Sequence, residues 1–290
     1  MLVTVPGSSS NLGPGFDCLG IAWKLYDRIA FEPAGSLVIT GCEERFRGPD
    51  NLAYQGFAAA FAEKGLPVPG VRIEFLQCDI PVSRGLGSSA ALLAAGAAAA
   101  NELGGLQLSG AELLDICTRI EGHPDNLAPS IFGGFTAAVC ENGKAVTASC
   151  ALHPSWRFLA VIPDFELSTA EARRVLPDSF SRSAAVFNLS RTALLLQAFE
   201  NGDMDLLRFS LRDRIHQPYR LPLIPGADRV FAAAEEAGAC ACISGAGSTM
   251  LVIADSHTAV ESCLTALSVA FPAWKLIKLE PDTNGLQISR

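Results

Sequence analysis

The stretch that decides the fold of this chain is PVSRGLGSSAALLAAGAAAANEL, residues 81–103. A Gly-Leu-Gly-Ser-Ser turn leads directly into a run of alanine and leucine, which are strong helix formers. The first amides of a helix have no acceptor within the helix, so several N–H groups are free at this turn. Because glycines let such a backbone approach a ligand closely, the turn is predicted to bind an anion.

The positive charge for this anion does not come from a lysine in the turn. Gly-x-Gly occurs in three polar turns, residues 13–15, 85–87 and 245–247, but none completes Gly-x-Gly-x-x-Gly, and no Gly-x-x-x-x-Gly-Lys-Ser/Thr is present. Neither a Rossmann dinucleotide site nor a Walker P-loop is therefore supported. Backbone amides can suffice, since three or four hydrogen bonds to phosphate contribute about 5–10 kcal/mol and micromolar binding needs about 8 kcal/mol.

A divalent cation carried with a nucleotide would supply the missing charge, and Mg²⁺ takes oxygen ligands. Ser88 or Ser89 offers a hydroxyl at the helix start, and Glu121 offers a carboxylate. Glu121 opens the polar segment EGHPDN, residues 121–126, which precedes an apolar strand. Four polar side chains within six residues indicate the lining of a site.

The composition of the chain limits its partners and its setting. The 290 residues are 49% hydrophobic and 18% charged, which allows one large domain or two ordinary ones. The net charge of −8 argues against a nucleic-acid or anionic-membrane partner. Nine scattered cysteines without Cys-x-x-Cys indicate reduced thiols and a cytoplasmic protein. The longest apolar run, residues 90–100, is too short for a membrane span of about 20 residues, and residues 1–11 lack signal-peptide features, so a soluble protein is expected.

Hydrophobic periodicity predicts an α+β fold with a domain boundary near His153–Pro154, giving domains of residues 1–154 and 155–290. The first strand is expected to break at Pro6–Gly7, and residues 121–140 are expected to pass from a polar loop into a strand. The other predicted strands lie within residues 21–33, 36–41, 71–81, 150–163 and 274–281, with two more in 220–256. The predicted helices lie within residues 51–65, 88–103, 109–119, 168–177, 188–207, 220–239 and 257–270.

Six segments carry a resemblance to a known family. PVSRGLGSSAA (residues 81–91) resembles the phosphate-binding motif of the GHMP small-molecule kinases, and ISGAGSTMLVI (243–253) resembles their C-terminal glycine motif. Four further segments of this chain resemble segments of the homoserine kinase members, in the same order: VPGSSSNLGPGFDCLGIA (5–22), EGHPDNLAPSIFGGF (121–135), STAEARRVLP (168–177) and HQPYRLPLIPG (216–226). Gly7 and Ser10 stand where alanines are common, and Ser248 stands where proline is usual, but these departures remove no predicted ligand.

The resemblance covers nearly the whole chain and implies a two-domain GHMP kinase fold. In that fold an N-terminal domain like ribosomal S5 domain 2 precedes a ferredoxin-like C-terminal domain, with the active site between them. The implied reaction is the ATP-dependent phosphorylation of the side-chain hydroxyl of L-homoserine to O-phospho-L-homoserine, in threonine biosynthesis, with Mg²⁺ as cofactor. Dimers are common in the family, so a homodimer is one candidate state.

Transferred position by position, the resemblance implies three groups of site residues. Asp17 would bind the substrate ammonium, and arginines suit the carboxylate because their donors form a fork. Asp125 is the candidate general base by residue type, the alternative being direct proton transfer to the phosphate. The residues implied to bind the nucleotide are Asn51, Pro81, Arg84, Gly85, Leu86, Gly87, Ser88 and Ser89, and those implied to bind the metal are Ser89 and Glu121. The residues implied to bind the substrate are Asn11, Asp17, His123, Thr169, Arg173 and Arg220. The residues implied to be catalytic are Asn11, Asp125 and Asn126.

Two alternatives stay open at this point. A GHMP kinase acting on another small alcohol would have no use for Asp17 and Arg173 as partners of an ammonium and a carboxylate. A catalytically inactive member could serve as a ligand sensor, although the retention of both proposed magnesium ligands speaks against it.

Overall fold

The computed structural model describes all residues, 1–290. The first half of the chain contains six strands and four helices, with a 3₁₀ turn at Glu44–Phe46. In chain order these are β1 (Leu2–Asn11), β2 (Gly15–Pro33), β3 (Val38–Thr40), α1 (Leu52–Glu63), β4 (Val71–Cys78), α2 (Ser88–Gly104), α3 (Gly110–Glu121), α4 (Leu127–Phe132), β5 (Phe135–Glu141) and β6 (Lys144–Cys150).

The second half contains five strands and six helices, with a 3₁₀ turn at Leu221–Leu223. In chain order these are β7 (Arg157–Ile162), α5 (Thr169–Arg174), α6 (Arg182–Asn201), α7 (Met204–Ser210), α8 (Gln217–Arg220), α9 (Ala227–Glu236), β8 (Cys240–Ile243), β9 (Met250–Ala254), α10 (His257–Ala270), β10 (Lys275–Leu279) and β11 (Gln287–Ser289).

The strands form two sheets. The seven-stranded sheet has the order β11-β1-β2-β4-β3, and β2 is long enough to pair also with β5, which in turn pairs with β6. The four-stranded sheet has the order β10-β7-β9-β8 and is entirely antiparallel. The sheets change between β6 and β7, and only β11 returns to the first sheet. We therefore propose domains of residues 1–154 and 155–290, with β11 completing the first sheet.

Helix α2 is the central element of the N-terminal half. Its alanine-rich sequence is apolar on every side, which is typical of a helix that is buried all round. It packs against β1, α1, α3 and α4, and every residue from Leu93 to Ala100 is buried. Burial on all sides fixes the position of the turn that precedes the helix.

The crossing of α1 and α2 depends on Gly96. A Cβ atom built there would collide with the carbonyl oxygen of Ala53 on α1. We expect Gly96→Ala to lower the free energy of unfolding by about 3 kcal/mol, because the backbone of a packed helix cannot move aside cheaply. Urea unfolding measures the loss. Gly48→Ala is the matched control, since nothing lies within 4 Å of its added methyl group, and an equal loss in both variants would contradict this account.

Three local predictions from the sequence need correction. Strand β1 continues through Pro6–Gly7 instead of breaking, because a register shift at this point lets the strand accommodate a residue without an N–H. The segment after the polar loop forms the short helix α4 before β5 begins. Strands β6 and β11 and helix α8 have no counterpart in the sequence-based prediction.

The helix predicted within residues 188–207 is present as two helices, α6 and α7. The other predicted strands and helices are present with shifted ends. Helix α3 begins with a capping box, in which the Ser109 hydroxyl accepts from the Glu112 amide and the Glu112 carboxylate accepts from the Ser109 amide. No helix combines the length and the apolar character that crossing a membrane would require.

Candidate active site

A cavity of about 730 Å³ opens where the two halves of the chain meet. It brings together residues from β1, the start of α2, the polar segment 121–126, α5, α8 and the loop between β8 and β9. Sixteen of the predicted site residues line it: Asn11, Asp17, Asn51, Pro81, Arg84, Gly85, Gly87, Ser88, Ser89, Glu121, His123, Asp125, Asn126, Thr169, Arg173 and Arg220.

Leu86 is the one predicted site residue whose side chain does not line the cavity. It is fully buried in the hydrophobic core, and its carbonyl oxygen accepts a hydrogen bond from the Ser8 amide. Leucine has no polar group to offer a phosphate, so the side chain contributes packing. Only its amide remains available to a ligand.

The turn before α2 presents a set of free donors. The helix starts at Ser88 after Gly87, which has φ 74° and supplies no side-chain cap. The first amide of this region that donates to a backbone carbonyl is that of Ala91, which bonds to Gly87. The amides of residues 85–90 are therefore free for an anion to satisfy, as expected of a helix start.

The glycines of this turn are required by packing as well as by approach to a ligand. Gly85 has φ 76°, and a Cβ there would collide with the Ser244 carbonyl oxygen. A Cβ at Gly87 would collide with the Ser8 hydroxyl. The turn is thus wedged between β1 and the loop after β8, which holds its amides in a fixed orientation.

The loop after β8 is bonded to both β1 and the turn. The Ser244 hydroxyl lies 2.6 Å from both the Ser9 hydroxyl and the Gly85 carbonyl oxygen. The Gly245 amide donates to the Ser10 carbonyl at 2.9 Å, and the Thr249 amide donates to the Arg84 carbonyl at 3.0 Å. The C-terminal glycine motif, residues 243–253, therefore forms part of the wall of the cavity.

Ser89 and Glu121 meet beside the free amides. The Ser89 hydroxyl donates to the Glu121 carboxylate at 2.5 Å. Burial raises the pKa of Glu121, and the hydrogen bond from Ser89 partly offsets this effect. Ser88 lines the cavity without this contact, so the geometry favours Ser89 over Ser88 as the hydroxyl ligand of a cation.

Asp17 and Arg173 form a two-bond ion pair in the cavity. The Arg173 guanidinium donates to the two carboxylate oxygens of Asp17 at 2.7 and 3.0 Å. The two side chains are about one-third exposed, with values of 33% for Asp17 and 37% for Arg173. Both groups predicted to hold the charges of a zwitterion are therefore present, and they satisfy each other.

Arg220 lies next to this pair and is 1% exposed. Its guanidinium donates to the carbonyl oxygens of Ala172 at 3.1 Å and Gly245 at 3.2 Å. Burial lowers the pKa of Arg220 to about 10, and the neighbouring Arg173 charge acts in the same direction. A buried cation without a carboxylate contact favours the approach of an anion.

Asn11 organises the turn that carries Asp17. Its side-chain nitrogen donates to the Gly245 carbonyl at 2.7 Å, and its side-chain oxygen accepts from the Asp17 amide at 2.9 Å. Asn11 and Asp17 both have positive φ angles, 71° and 52°, which are uncommon for residues other than glycine. One N–H of the Asn11 amide group remains available to a ligand.

His123 and the buried Asp125 form a hydrogen-bonded pair. His123 Nδ1 lies 2.5 Å from Asp125 Oδ1, while Asp125 Oδ2 is buried without a hydrogen-bond partner. Burial alone would lower the pKa of His123, but the hydrogen bond and charge of Asp125 raise it above its usual value. Burial would raise the pKa of Asp125, but His123 holds it below its usual value.

This pair predicts a pH-dependent contribution to stability. Because the pKa of His123 is raised by folding, the contribution is fully present below pH 6.5, the ordinary value for histidine, and is lost as the pH rises through the folded-state pKa. We expect His123→Gln to cost more unfolding free energy at about pH 6 than at about pH 9. Urea unfolding at both pH values checks this. The exposed His153→Gln variant is the control, and a cost for His123→Gln that is independent of pH would contradict the pairing.

The remaining predicted residues differ in what their side chains contact. Asn126 is bonded to β1, accepting from Ser10 at 2.9 Å and donating to the Ser8 hydroxyl at 2.9 Å. The Asn51 side chain caps α1 by accepting from the Ala53 amide at 2.9 Å. Thr169 is the first residue of α5, and Arg84 donates to carbonyl oxygens of the segment after β7.

Asp27 is a cavity residue that the sequence-based prediction did not include. It is 3% exposed, and its carboxylate accepts from the Ile80 amide at 3.0 Å, just before the turn that leads into α2. Burial raises its pKa to about 6. Lys24, Asp27 and Arg28 lie close together within β2, and nothing in that pattern marks Asp27 as a cavity residue.

The fold and this site define a class of protein. Residues 51–134 match the family model of the GHMP kinases N terminal domain, and residues 195–273 match that of the GHMP kinases C terminal. The α+β, two-domain GHMP kinase fold expected from the sequence is thereby confirmed, and the chain is a kinase-type phosphotransferase.

Three relatives define the family within that class. The homoserine kinase of Clostridium beijerinckii is 40% identical over 290 residues, covering 99% of this chain and 97% of the relative. That of Synechococcus sp. is 45% identical over 265 residues, covering 89% and 86%. The crystal structure of homoserine kinase from Cytophaga hutchinsonii superposes with a TM-score of 0.89 at 27% identity, covering 100% and 97%. The chain belongs to the homoserine kinase family.

Proposed function

We propose that this chain transfers the γ-phosphoryl group of ATP to the side-chain hydroxyl of L-homoserine and forms O-phospho-L-homoserine for threonine biosynthesis. The observation that carries this proposal is the presence of Asp17, Arg173 and Arg220 in the same cavity as the free amides of α2. An amino-acid substrate needs an anion and a cation, and a phosphate donor needs the amides.

The amides of residues 85–90 are the proposed phosphate contacts. Each hydrogen bond to a charged oxygen contributes about 1.5–3 kcal/mol, and the helix end adds about 0.3–1 kcal/mol. Because Gly85 and Gly87 are packed against Ser244 and Ser8, these donors need little reorganisation when the phosphates bind. Arg84 is the basic side chain of the turn and lines the same cavity.

Ser89 and Glu121 are the proposed ligands of Mg²⁺. A hydroxyl and a carboxylate 2.5 Å apart, both beside the phosphate-binding amides, match the oxygen ligands that magnesium prefers. When bound, the ion would neutralise charge on the phosphates. Glu121 is partly buried, and burial disfavours its negative charge, so a cation bound beside it would offset that cost.

Asp17, Arg173, Arg220 and Asn11 are the proposed substrate contacts. Asp17 would hold the ammonium, the two arginines would hold the carboxylate, and the free N–H of Asn11 would orient the hydroxyl. The Asp17–Arg173 pair must separate for this to happen. A zwitterion compensates both groups at once, whereas an alcohol lacking either charge leaves one of them unpaired.

The hydroxyl proton is proposed to pass to the transferred phosphate. The lowered pKa of Asp125 makes it a weak base. If Asp125 were nevertheless the base, Asp125→Asn would lower kcat more than roughly tenfold. The single-turnover rate of this variant separates the two routes.

The proposed function is tested by measuring ADP release with homoserine, serine, mevalonate and galactose as acceptors. We expect homoserine to give the highest kcat/KM, with formation of the phosphate ester confirmed by mass spectrometry. A higher kcat/KM for mevalonate or galactose would replace the proposed substrate, and homoserine binding without ADP release would identify a sensor. We propose a cytoplasmic setting, supported by nine cysteines that are all unpaired.

A further inference from the structure

Three arginines lie around one aromatic ring of α6, and a fourth lines the same groove. The guanidinium carbon of Arg191 lies 3.3 Å from the centroid of the Phe187 ring, that of Arg214 lies 4.0 Å away, and that of Arg212 lies 5.9 Å away. Arg182 lines the same shallow groove as Phe187 and Arg191. We call these four arginines and Phe187 the arginine patch.

The charges of the arginine patch have no carboxylate partner within the molecule, since none of the four arginines takes part in a salt bridge. Asp213 lies between Arg212 and Arg214 in sequence, but its carboxylate accepts from the amides of Ile215, His216 and Gln217 and from Asn188.

The patch is also electrostatically unfavourable as it stands. Burial lowers the pKa of Arg191, and the charges of Arg212 and Arg214 lower it further. The Nε atom of Arg191 is buried without a hydrogen-bond acceptor. These cations repel one another even though the whole chain carries a net charge of −8, which implies that an anion from outside the molecule neutralises them.

The geometry points to a compact anion. Stacking on the Phe187 ring fixes the planar guanidinium groups, and their forked donors match phosphate oxygens. Three guanidinium carbons lie within 5.9 Å of one ring centroid and so form a compact cluster of charge, whereas an extended acidic protein segment would suit a strip of charges.

We propose that the arginine patch is a second anion site, separate from the catalytic cavity, that takes a phosphate-bearing small molecule. None of its residues lines the catalytic cavity. It adjoins the turn between β1 and β2, because Asn188 and Thr192 of the same helix donate to the Pro14 carbonyl oxygen at 3.4 and 3.1 Å.

Inorganic pyrophosphate in metal-free buffer is the probe, and isothermal titration calorimetry counts its sites. The double variant Arg191→Gln/Arg214→Gln is expected to bind one pyrophosphate fewer than the unmodified protein, and the lost site is expected to weaken with added salt. Counting the lost site keeps the test independent of the proposed function, because binding in the catalytic cavity is common to both proteins.

The matched control is Arg208→Gln/Arg290→Gln, which removes the same charge from arginines paired with Asp205 and Glu102. It is expected to keep every site. Thermal melting checks that both double variants fold. If the patch double variant does not fold, Arg212→Gln replaces it, because Arg212 is exposed, and it is expected to weaken pyrophosphate binding at the patch about tenfold. The proposal would be overturned if the unmodified protein and the Arg191→Gln/Arg214→Gln variant bound the same number of pyrophosphate molecules. Loss of a pyrophosphate site in the control variant, or binding of an octaglutamate peptide in preference to pyrophosphate, would overturn it as well.

Discussion

Glu121→Gln is expected to lower kcat at saturating ATP and homoserine by roughly 100-fold or more. Glutamine has nearly the same shape and can still accept the hydrogen bond that Ser89 donates at 2.5 Å. It lacks the negative charge that a divalent cation requires. The rate of ADP release, measured over a range of Mg²⁺ concentrations, should show both a lower maximum and a higher Mg²⁺ requirement.

Two controls test whether this effect arises at the proposed metal site. Ser89→Ala removes a neutral ligand and should cost less, roughly tenfold. Glu102→Gln removes an equal charge from an exposed carboxylate paired with Arg290, and it should leave activity unchanged. A Glu121→Gln enzyme with more than half of the normal rate and an unchanged Mg²⁺ requirement would remove Glu121 from the proposed site.

Arg173→Met should raise the KM for homoserine by roughly 100-fold or more, because two charge-assisted hydrogen bonds to the substrate carboxylate, each contributing about 1.5–3 kcal/mol, would be lost. The KM for ATP should change little, since the Arg173 side chain is bonded to Asp17 and to no residue of the turn before α2. Arg173→Lys should recover only part of the loss, because lysine offers a point charge in place of a fork. Initial rates with each substrate varied in turn separate these effects.

Arg174→Met is the matched control, since Arg174 is the exposed neighbour on the same helix and does not line the cavity. It should leave both KM values unchanged. An equal rise in the homoserine KM for both variants, or a rise confined to the ATP KM, would contradict the assignment of Arg173 to the substrate carboxylate.

Much of the site could be predicted because its chemistry is local in the sequence. The turn at Gly85–Ser89 and the helix after it lie in one continuous stretch, so residue type and spacing indicated an anion site directly. The family resemblance then connected Asp17, Glu121 and Arg173, which are far apart in the chain and meet only in the folded structure.

The rest depended on contacts that spacing does not reveal. The Leu86 side chain points to the core because the turn is wedged between β1 and the loop after β8. The Asp17–Arg173 pair joins residues 156 positions apart, and no local pattern predicts it. Helix α4 is only six residues long, which is too short for hydrophobic periodicity to distinguish it from a loop.

The hydrogen bonds from Ser244, Gly245 and Thr249 to the first half of the chain limit how this enzyme can move. A hinge that parted the two halves would break several buried contacts together and would also release the glycine turn. Fragments 1–154 and 155–290 made as separate polypeptides should therefore fail to complement each other unless this junction forms again. We therefore expect nucleotide and product to enter and leave by the mouth of the cavity without separation of the two halves.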